Sequence, residues 1–497
     1  MKKPNLLFVL VDQMRYHAMG CAGNRQIHTP NLDQMAGDGA MFRNAVSCTP
    51  VCTPARACLL TGLYPLSHTV LTNNSMLPED MPSIGKMLKS QGYSTGYIGK
   101  WHLAGEAFIG ATEQNQGHVG YIPPGEMRHG FDYWAVHHCS HDYQNGFYYR
   151  DTPEPIYFNQ WEPDGQTDLA LDFIQNHVRK NVEDPFALFV SWGGPHTPFI
   201  APDEFRAMYD AKKLQLRSNV RIHNGFINGD IHCDSSIEGF DTPEDLVRNF
   251  TANYYASISN LDYNLGRLLK GMDENGLQDD TIVVFTSDHG EMLGSHGQMH
   301  KLQTWDESVL VPFLIRYPKK ITKGMILDTP LGSPDILPTL FGLMDLPVPR
   351  HVEGVDCSPA LTGQPFDEPS SAFLIWPCNA LTWGKQWNNC VEQVFARGFP
   401  AGYMREYRGI RTKTHTYVVH RDGPWYLYEN QNDPYQENNM IEAGLTVPPE
   451  LQSELQDWLE KTGDVFEDTD YYIDCIDLET GLTIKPEKFK GMITNEV

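Results

Sequence analysis

The chemistry this chain can do gathers around a cysteine. In Cys52-Thr53-Pro54-Ala55-Arg56, Thr53 reads as an N-cap and Pro54 suits the first helical position, with Gly62 closing the helix after Thr61. Cys52 then stands at the positive end of a helix dipole, where a thiolate or an oxyanion is favoured. Arg56, one turn on, can swing back over the same face. The plain alternative is a free cysteine packed near a cap.

Five further groups of polar residues sit at or just beyond the ends of apolar runs. Asp12-Gln13 follows residues 6–11, and Asp288-His289-Gly290 follows residues 281–287. If those two runs are neighbouring strands, Asp12, Asp288 and His289 converge on one crevice and Gln13 adds a carbonyl oxygen. A donor set rich in oxygen suits Ca²⁺ or Mg²⁺ better than a soft metal. Gly99-Lys100-Trp101-His102 follows residues 93–98, His196 follows residues 186–192, and His300-Lys301 lies a short way past Asp288. One such residue alone is more often a strand-end cap or a solvated side chain. Four strands that all end in ionisable residues are a different matter, because open α/β sheets place their ligands at the carboxyl ends of the strands.

The elements that must position these residues alternate along the chain. Strand patterns at 6–11, 93–98, 186–192, 281–287 and 311–316 are interleaved with helix patterns at 31–38, 54–61, 82–91, 168–180 and 244–274. Near-continuous apolar strands separated by helices predict an α/β fold, a large and mostly parallel sheet sandwiched by helices. Residues 105–158, rich in Gly, His and aromatics without clean periodicity, read as an elaborated loop region. The texture changes near Pro369. Strand patterns at 372–376, 407–411, 416–420 and 425–428, a turn signal at Arg421-Asp422-Gly423 and a polar helix at 449–461 predict a smaller C-terminal α+β subdomain with an antiparallel sheet. The expected division is 1–370 for the first unit and 371–497 for the second.

Composition narrows the function classes. Of 497 residues, 41% are hydrophobic and 20% charged, enough for a large core. With 38 Lys+Arg against 63 Asp+Glu the net charge is −25, which argues against a grip on nucleic acid or an anionic membrane. The ten cysteines contain no CxxC pair, so neither a zinc ribbon nor a dithiol is signalled. No run nears the ~18 apolar residues of a membrane span. The chain therefore reads as soluble, and without an export signal within it as either cytoplasmic or exported with its signal removed.

Cys52-Thr53-Pro54-Ala55-Arg56, continuing to Leu60-Thr61-Gly62, resembles the sulfatase signature C-x-P-x-R…TG, and residues 92–103 resemble the second signature of that family. Asp12, His196, Asp288-His289-Gly290 and Lys301 fall in the family's order, over residues 4 to about 440. The resemblance implies a formylglycine-dependent (type I) sulfatase with the fold of the alkaline phosphatase superfamily. It implies that Cys52 is oxidised to formylglycine by a maturation enzyme. The hydrated aldehyde would offer one hydroxyl to attack sulfur, and a second whose deprotonation expels sulfate, an exit that a serine or thiol lacks. A divalent cation, Ca²⁺ rather than Mg²⁺, would be held by Asp12, Gln13, residue 52, Asp288 and His289. Arg56, Lys100 and Lys301 would neutralise the sulfate oxygens, His102 would hold the hydrate, and His196 or Lys301 would protonate the leaving alcohol.

Two positions depart from the commonest pattern: Gln13 where many members carry a second acid, and Ala55 where Ser is usual. Asp-Gln also occurs in choline-sulfatase-like and phosphonate-monoester-hydrolase-like members, so those activities and phosphodiester hydrolysis remain open beside a carbohydrate O-sulfatase. A binding protein that keeps the fold, or a thiolate hydrolase using Cys52 itself, are the alternatives of other classes. Large loops favour a sulfated saccharide: Trp134, His137, His138 and His141, together with Trp376, Trp383, Trp387 and Arg405, either line a sugar-binding mouth or pack between the units. The oligomeric state is left open.

Overall fold

Strand β1 (Asn5–Asp12) is buried at every residue, and its alternation divides it between two cores. Leu6, Phe8 and Leu10 belong to one apolar cluster, and Leu7, Val9 and Val11 to another on the opposite face. The computed structural model that shows this describes residues 3–105, 120–180, 184–221, 240–377 and 406–468, with short pieces between 471 and 484. Around β1 an eight-stranded sheet is built from β2 (Ala40–Phe42), β3 (Ser94–Lys100), β4 (Tyr133–His137), β5 (Phe186–Pro195), β6 (Thr281–Ser287), β7 (Phe313–Arg316) and β8 (Met325–Leu327). Their order is β8-β2-β7-β6-β1-β5-β3-β4. Only β7 runs against its neighbours. The α/β expectation is therefore met, with one reversed strand that the sequence pattern did not distinguish.

Helices cover both faces. Helix α1 (Pro30–Asp38) lies on the second face with α3 (Glu162–Arg179) and the 32-residue α4 (Pro243–Glu274), while α2 (Cys52–Thr61) packs on the first. Helix α4 begins as its sequence demands, with the Thr242 side chain accepting from Asp245 N and Pro243 in the first turn. Three expected boundaries are corrected. Helix α3 starts at Glu162 rather than 168, because Pro163 is tolerated in its first turn. The helix expected at 82–91 spans Ile84–Ser90. Helix α2 starts at Cys52 itself, with Val51 at its N-cap. Thr53 is not a cap: it lies in the first turn, where its N–H donates to Asn73 Oδ1 at 3.0 Å. Gly62 does close the helix, in the left-handed conformation at φ 69°.

The segment 105–158 is not loop alone. It contributes β4, which pairs in parallel with β3 at the edge of the main sheet, and a small ribbon of Phe147–Tyr148 with Ile156–Tyr157. Trp134 on β4 is 2% exposed among Tyr97, Trp101 and Phe131, so it is core and does not line a mouth.

Beyond residue 370, strands β9 (Ser371–Trp376), β10 (Tyr407–Thr412), β11 (His415–His420) and β12 (Gly423–Glu429) form an antiparallel sheet in chain order, and the last two are joined through Arg421-Asp422. One face packs on helix α5 (Pro449–Thr462) through Phe373, Ile375, Leu451 and Leu455. The other meets Val46, Val51, Trp305 and Leu310 through Leu374, Trp376, Val418 and Tyr426. Trp376 is thus buried in the cluster under the antiparallel sheet. Trp383, Trp387 and Arg405 lie outside the described residues. Among the described residues, no helix is long and apolar enough to cross a membrane.

Candidate active site

Register brings the polar strand ends together. Val11 pairs with Ser287 of β6, Asp12 with Pro195 of β5, Gly99 of β3 with Ser191 of β5, and Lys100 with His137 of β4. Asp12, Lys100, His196 and Asp288-His289 consequently share the carboxyl edge of the sheet, and the N-terminus of α2 brings Cys52 to the same edge.

Cys52 Sγ lies 3.2 Å from His289 Nε2 and 3.8 Å from Asp12 Oδ1. One donor atom from each of Asp12, Cys52, Asp288 and His289 falls within 4.8 Å of all the others, and all four residues are buried. Arg56 lies behind this cluster, as its one-turn spacing from Cys52 predicts. Its Nε donates to Asp288 Oδ2 at 3.0 Å, its Nη2 to Asp12 Oδ2 at 3.3 Å, and its Nη1 to Ser191 Oγ at 2.8 Å and Lys100 O at 3.0 Å. Lys100 Nζ reaches Asp12 Oδ2 at 2.6 Å.

The charges are fixed by this packing. Burial works to neutralise Asp12, but Lys100, Arg56 and His289 outweigh it and hold the carboxyl well below its usual range. Burial likewise opposes the charge on Arg56, yet Asp288 and Asp12 hold the guanidinium charged, and Asp12 does the same for Lys100. Burial and Asp12 push the Cys52 thiol up, and Lys301, Lys100 and His289 pull it down further, so an anion at residue 52 is favoured.

Lys301 and His196 form the other wall. Lys301 Nζ donates to Gln13 Oε1 at 2.7 Å and to His196 Nε2 at 2.8 Å. His196 Nδ1 lies 2.8 Å from Thr197 O, which places its ring proton on Nδ1 and leaves Nε2 as the acceptor for Lys301. Burial, then Lys301 and His141, hold the His196 imidazole neutral. His141 stacks on it with ring centroids 4.2 Å apart, and Tyr143 Oη fixes the backbone below by donating to Gly193 O and His196 O. His102, in the turn after β3 at φ 55°, donates its N–H to His138 O and meets the His138 ring edge-on. His137 is buried, 3.4 Å from Glu162.

Gln13, at φ 69°, is held at three points: its N–H donates to Asp288 Oδ1, its amide Nε2 to Glu291 Oε2, and its oxygen accepts from Lys301. The carboxamide therefore stands at the boundary between the acidic cluster and Lys301. Glu291, which the sequence reading passed over, is fully buried and also accepts the N–H groups of Leu293 and His300. Its one available signal was its place two residues after His289 in the same turn. Ser191 and Tyr143 gave none, because a strand serine and a loop tyrosine look the same wherever they point.

The sulfatase family model matches residues 4–346. An ulvan-active sulfatase of Formosa agariphila is 37% identical over 480 residues, covering 95% of this chain and 84% of the relative. An endo-4-O-sulfatase of Bacteroides thetaiotaomicron is 28% identical over 499 residues, covering 93% of this chain and 92% of the relative. Among solved structures, the yidJ sulfatase of Bacteroides fragilis superposes with a TM-score of 0.78 at 30% identity, over 95% of this chain and 98% of that one. The chain is a sulfatase of the alkaline phosphatase superfamily. Its reaction class is hydrolysis of a sulfuric ester. In this sulfatase the two carboxylates of Asp12 and Asp288 converge with His289 and residue 52 in a buried cluster that fits a divalent cation.

Proposed function

We propose that this sulfatase removes an O-sulfate from a carbohydrate, with residue 52 acting as the hydrate of formylglycine beside a divalent cation, calcium rather than magnesium. The observation that carries the reading is the convergence of Cys52, Asp12, Asp288 and His289 within 4.8 Å, with Arg56 and Lys100 behind them. A saccharide substrate is supported by the relatives, which include the ulvan-active enzyme, the endo-4-O-sulfatase and an N-acetylglucosamine-6-O-sulfatase.

Asp12, Asp288, His289 and Gln13 would hold the cation, whose charge polarises the sulfate oxygens and acidifies a hydroxyl on residue 52. Formylglycine hydrate supplies two hydroxyls on one carbon, a nucleophile and a means of releasing sulfate. The side chains of this chain do the rest. Arg56, locked to both aspartates, orients residue 52. Lys100 and Lys301 face the sulfate oxygens with their ammonium groups. His102 holds a hydroxyl of the hydrate. Lys301 gives the proton to the departing alcohol, and His196 positions it: the imidazole is neutral, its one proton points at Thr197 O, and its free Nε2 accepts from the ammonium.

The test is protein matured in a host that installs formylglycine. Peptide mass spectrometry should find the aldehyde at residue 52, and sulfate should be released from sulfated mono- and disaccharides in preference to choline sulfate and aryl phosphodiesters. Chelation should abolish turnover and Ca²⁺ restore it. An unmodified thiol with undiminished hydrolysis, or a preference for phosphodiesters by orders of magnitude, would overturn the reading.

A further inference from the structure

A cavity of about 490 Å³, in the size range of small-ligand sites, is lined in part by Arg15 and His17, which follow the Asp12-Gln13 turn. In a chain with a net charge of −25 its lining is anomalous: among the described residues Arg15, Arg25, Arg217 and His17 contribute, and no acidic residue does. Arg217 is compensated, its Nε donating to Glu307 Oε1 at 2.9 Å, and its guanidinium lies 4.7 Å from the centre of the Tyr435 ring. Arg15 is not. It is 3% exposed, and its Nε and Nη1 are buried without a hydrogen-bond partner among the described residues. A guanidinium withdrawn from water and left without an acceptor is strongly unfavourable, and an oxyanion entering the cavity removes that deficit.

The cavity is tied to the catalytic turn. Arg15 lies three residues beyond Asp12, and its N–H donates to Tyr254 Oη, which itself donates to Gln13 O. On the opposite wall Leu293 lines the cavity and donates its N–H to Glu291, the carboxylate that holds the Gln13 amide. Both walls of the cavity are thus hydrogen-bonded to the turn that carries Gln13. The exposed Tyr435 offers an aromatic face for a sugar ring, while Tyr255, buried in the wall, is fixed by Asn24 at 2.9 Å.

We propose that the cavity is a second anion subsite, which takes the sulfate or carboxylate of a sugar unit next to the one being desulfated. The substrate is then an oligosaccharide with at least two anionic groups. This rests on the carbohydrate-sulfatase reading above, and the test separates the two. Calorimetry on the folded enzyme would use three unreactive disaccharides: a neutral parent, the same parent with one uronate, and the parent with one carbon-linked sulfonate. At least one anionic form should bind tenfold or more tightly than the neutral parent. That preference should fall tenfold or more in Arg15→Gln and in Arg25→Gln; the latter residue is exposed, so its replacement leaves the core intact. Preference for the uronate identifies a carboxylate as the occupant, and preference for the sulfonate a sulfate. Equal binding of all three, or a preference undiminished in both variants, overturns the subsite. Failure of the saccharide reading looks different: no sulfate is released from any sulfated sugar, whatever the calorimetry shows.

Discussion

At the scale of single residues, the site combines groups whose charges are set by one another. Lys301 and His196 show how. Their contact at 2.8 Å needs one protonated partner and one neutral one, and the Thr197 carbonyl decides which is which. Replacing Lys301 by Met should therefore lower kcat/KM by roughly 10²–10⁴ for a sugar sulfate, whose alkoxide needs a proton, and by much less for an activated aryl sulfate. Equal losses on the two substrates would remove Lys301 from the role of acid. Most of this cluster was legible in the sequence, since Cys52, Arg56, Lys100, Asp288, His289 and Lys301 each belong to a motif or follow a strand end. Glu291 and Tyr143 were not, because they act through Gln13 and through the His196 backbone, and such contacts leave no spacing to read.

Among the elements, the close approach of β3 to β5 sets the position of both Lys100 and Ser191. Gly99 sits at φ 99°, and a Cβ there would lie 2.1 Å from Ser191 O. Gly99→Ala should cost about 2–4 kcal/mol in urea unfolding. Gly92→Ala, at φ 83° with nothing within 4 Å, should cost only about 1–2 kcal/mol. Equal costs would show that backbone conformation alone, and not the strand approach, demands Gly99. The strand runs at 6–11 and 281–287 were readable because they are continuous and apolar. Strand β4 was passed over because its apolar run, Tyr133-Trp134-Ala135-Val136, is only four residues long and lies in a segment rich in Gly, His and aromatics without clean periodicity. The start of α2 was misplaced because Thr53 has the chemistry of a cap, but Asn73, 20 residues away, takes its N–H.

For the molecule as a whole, one short turn joins the parts. Asp306 accepts Arg411 of β10 through two bonds of 3.0 and 2.8 Å, while Glu307 accepts Arg217 and Asn219. Burial pushes Glu307 up, but Arg217, His17 and His296 outweigh it and bring it from 4.5 down to about 2. A carboxyl depressed in the folded state stabilises fully above its unfolded value and loses that contribution as pH falls through its folded value. Between pH 4.5 and about 2 the enzyme should therefore lose about 3 kcal/mol from this group. Glu307→Gln should flatten that part of the acid-unfolding curve, and an unaltered slope would refute the assignment. Finally, Cys52 is 2% exposed and touches His289, 237 residues further along the chain. During synthesis at about 5–20 residues per second, His289 emerges roughly 10–50 s after Cys52. Before then the His289 side chain that packs on Cys52 does not exist, and afterwards every residue of α2 is buried and closed to an outside catalyst. The proposed oxidation of residue 52 is thus confined to the nascent chain, and a fully folded batch that missed it has no route to recover.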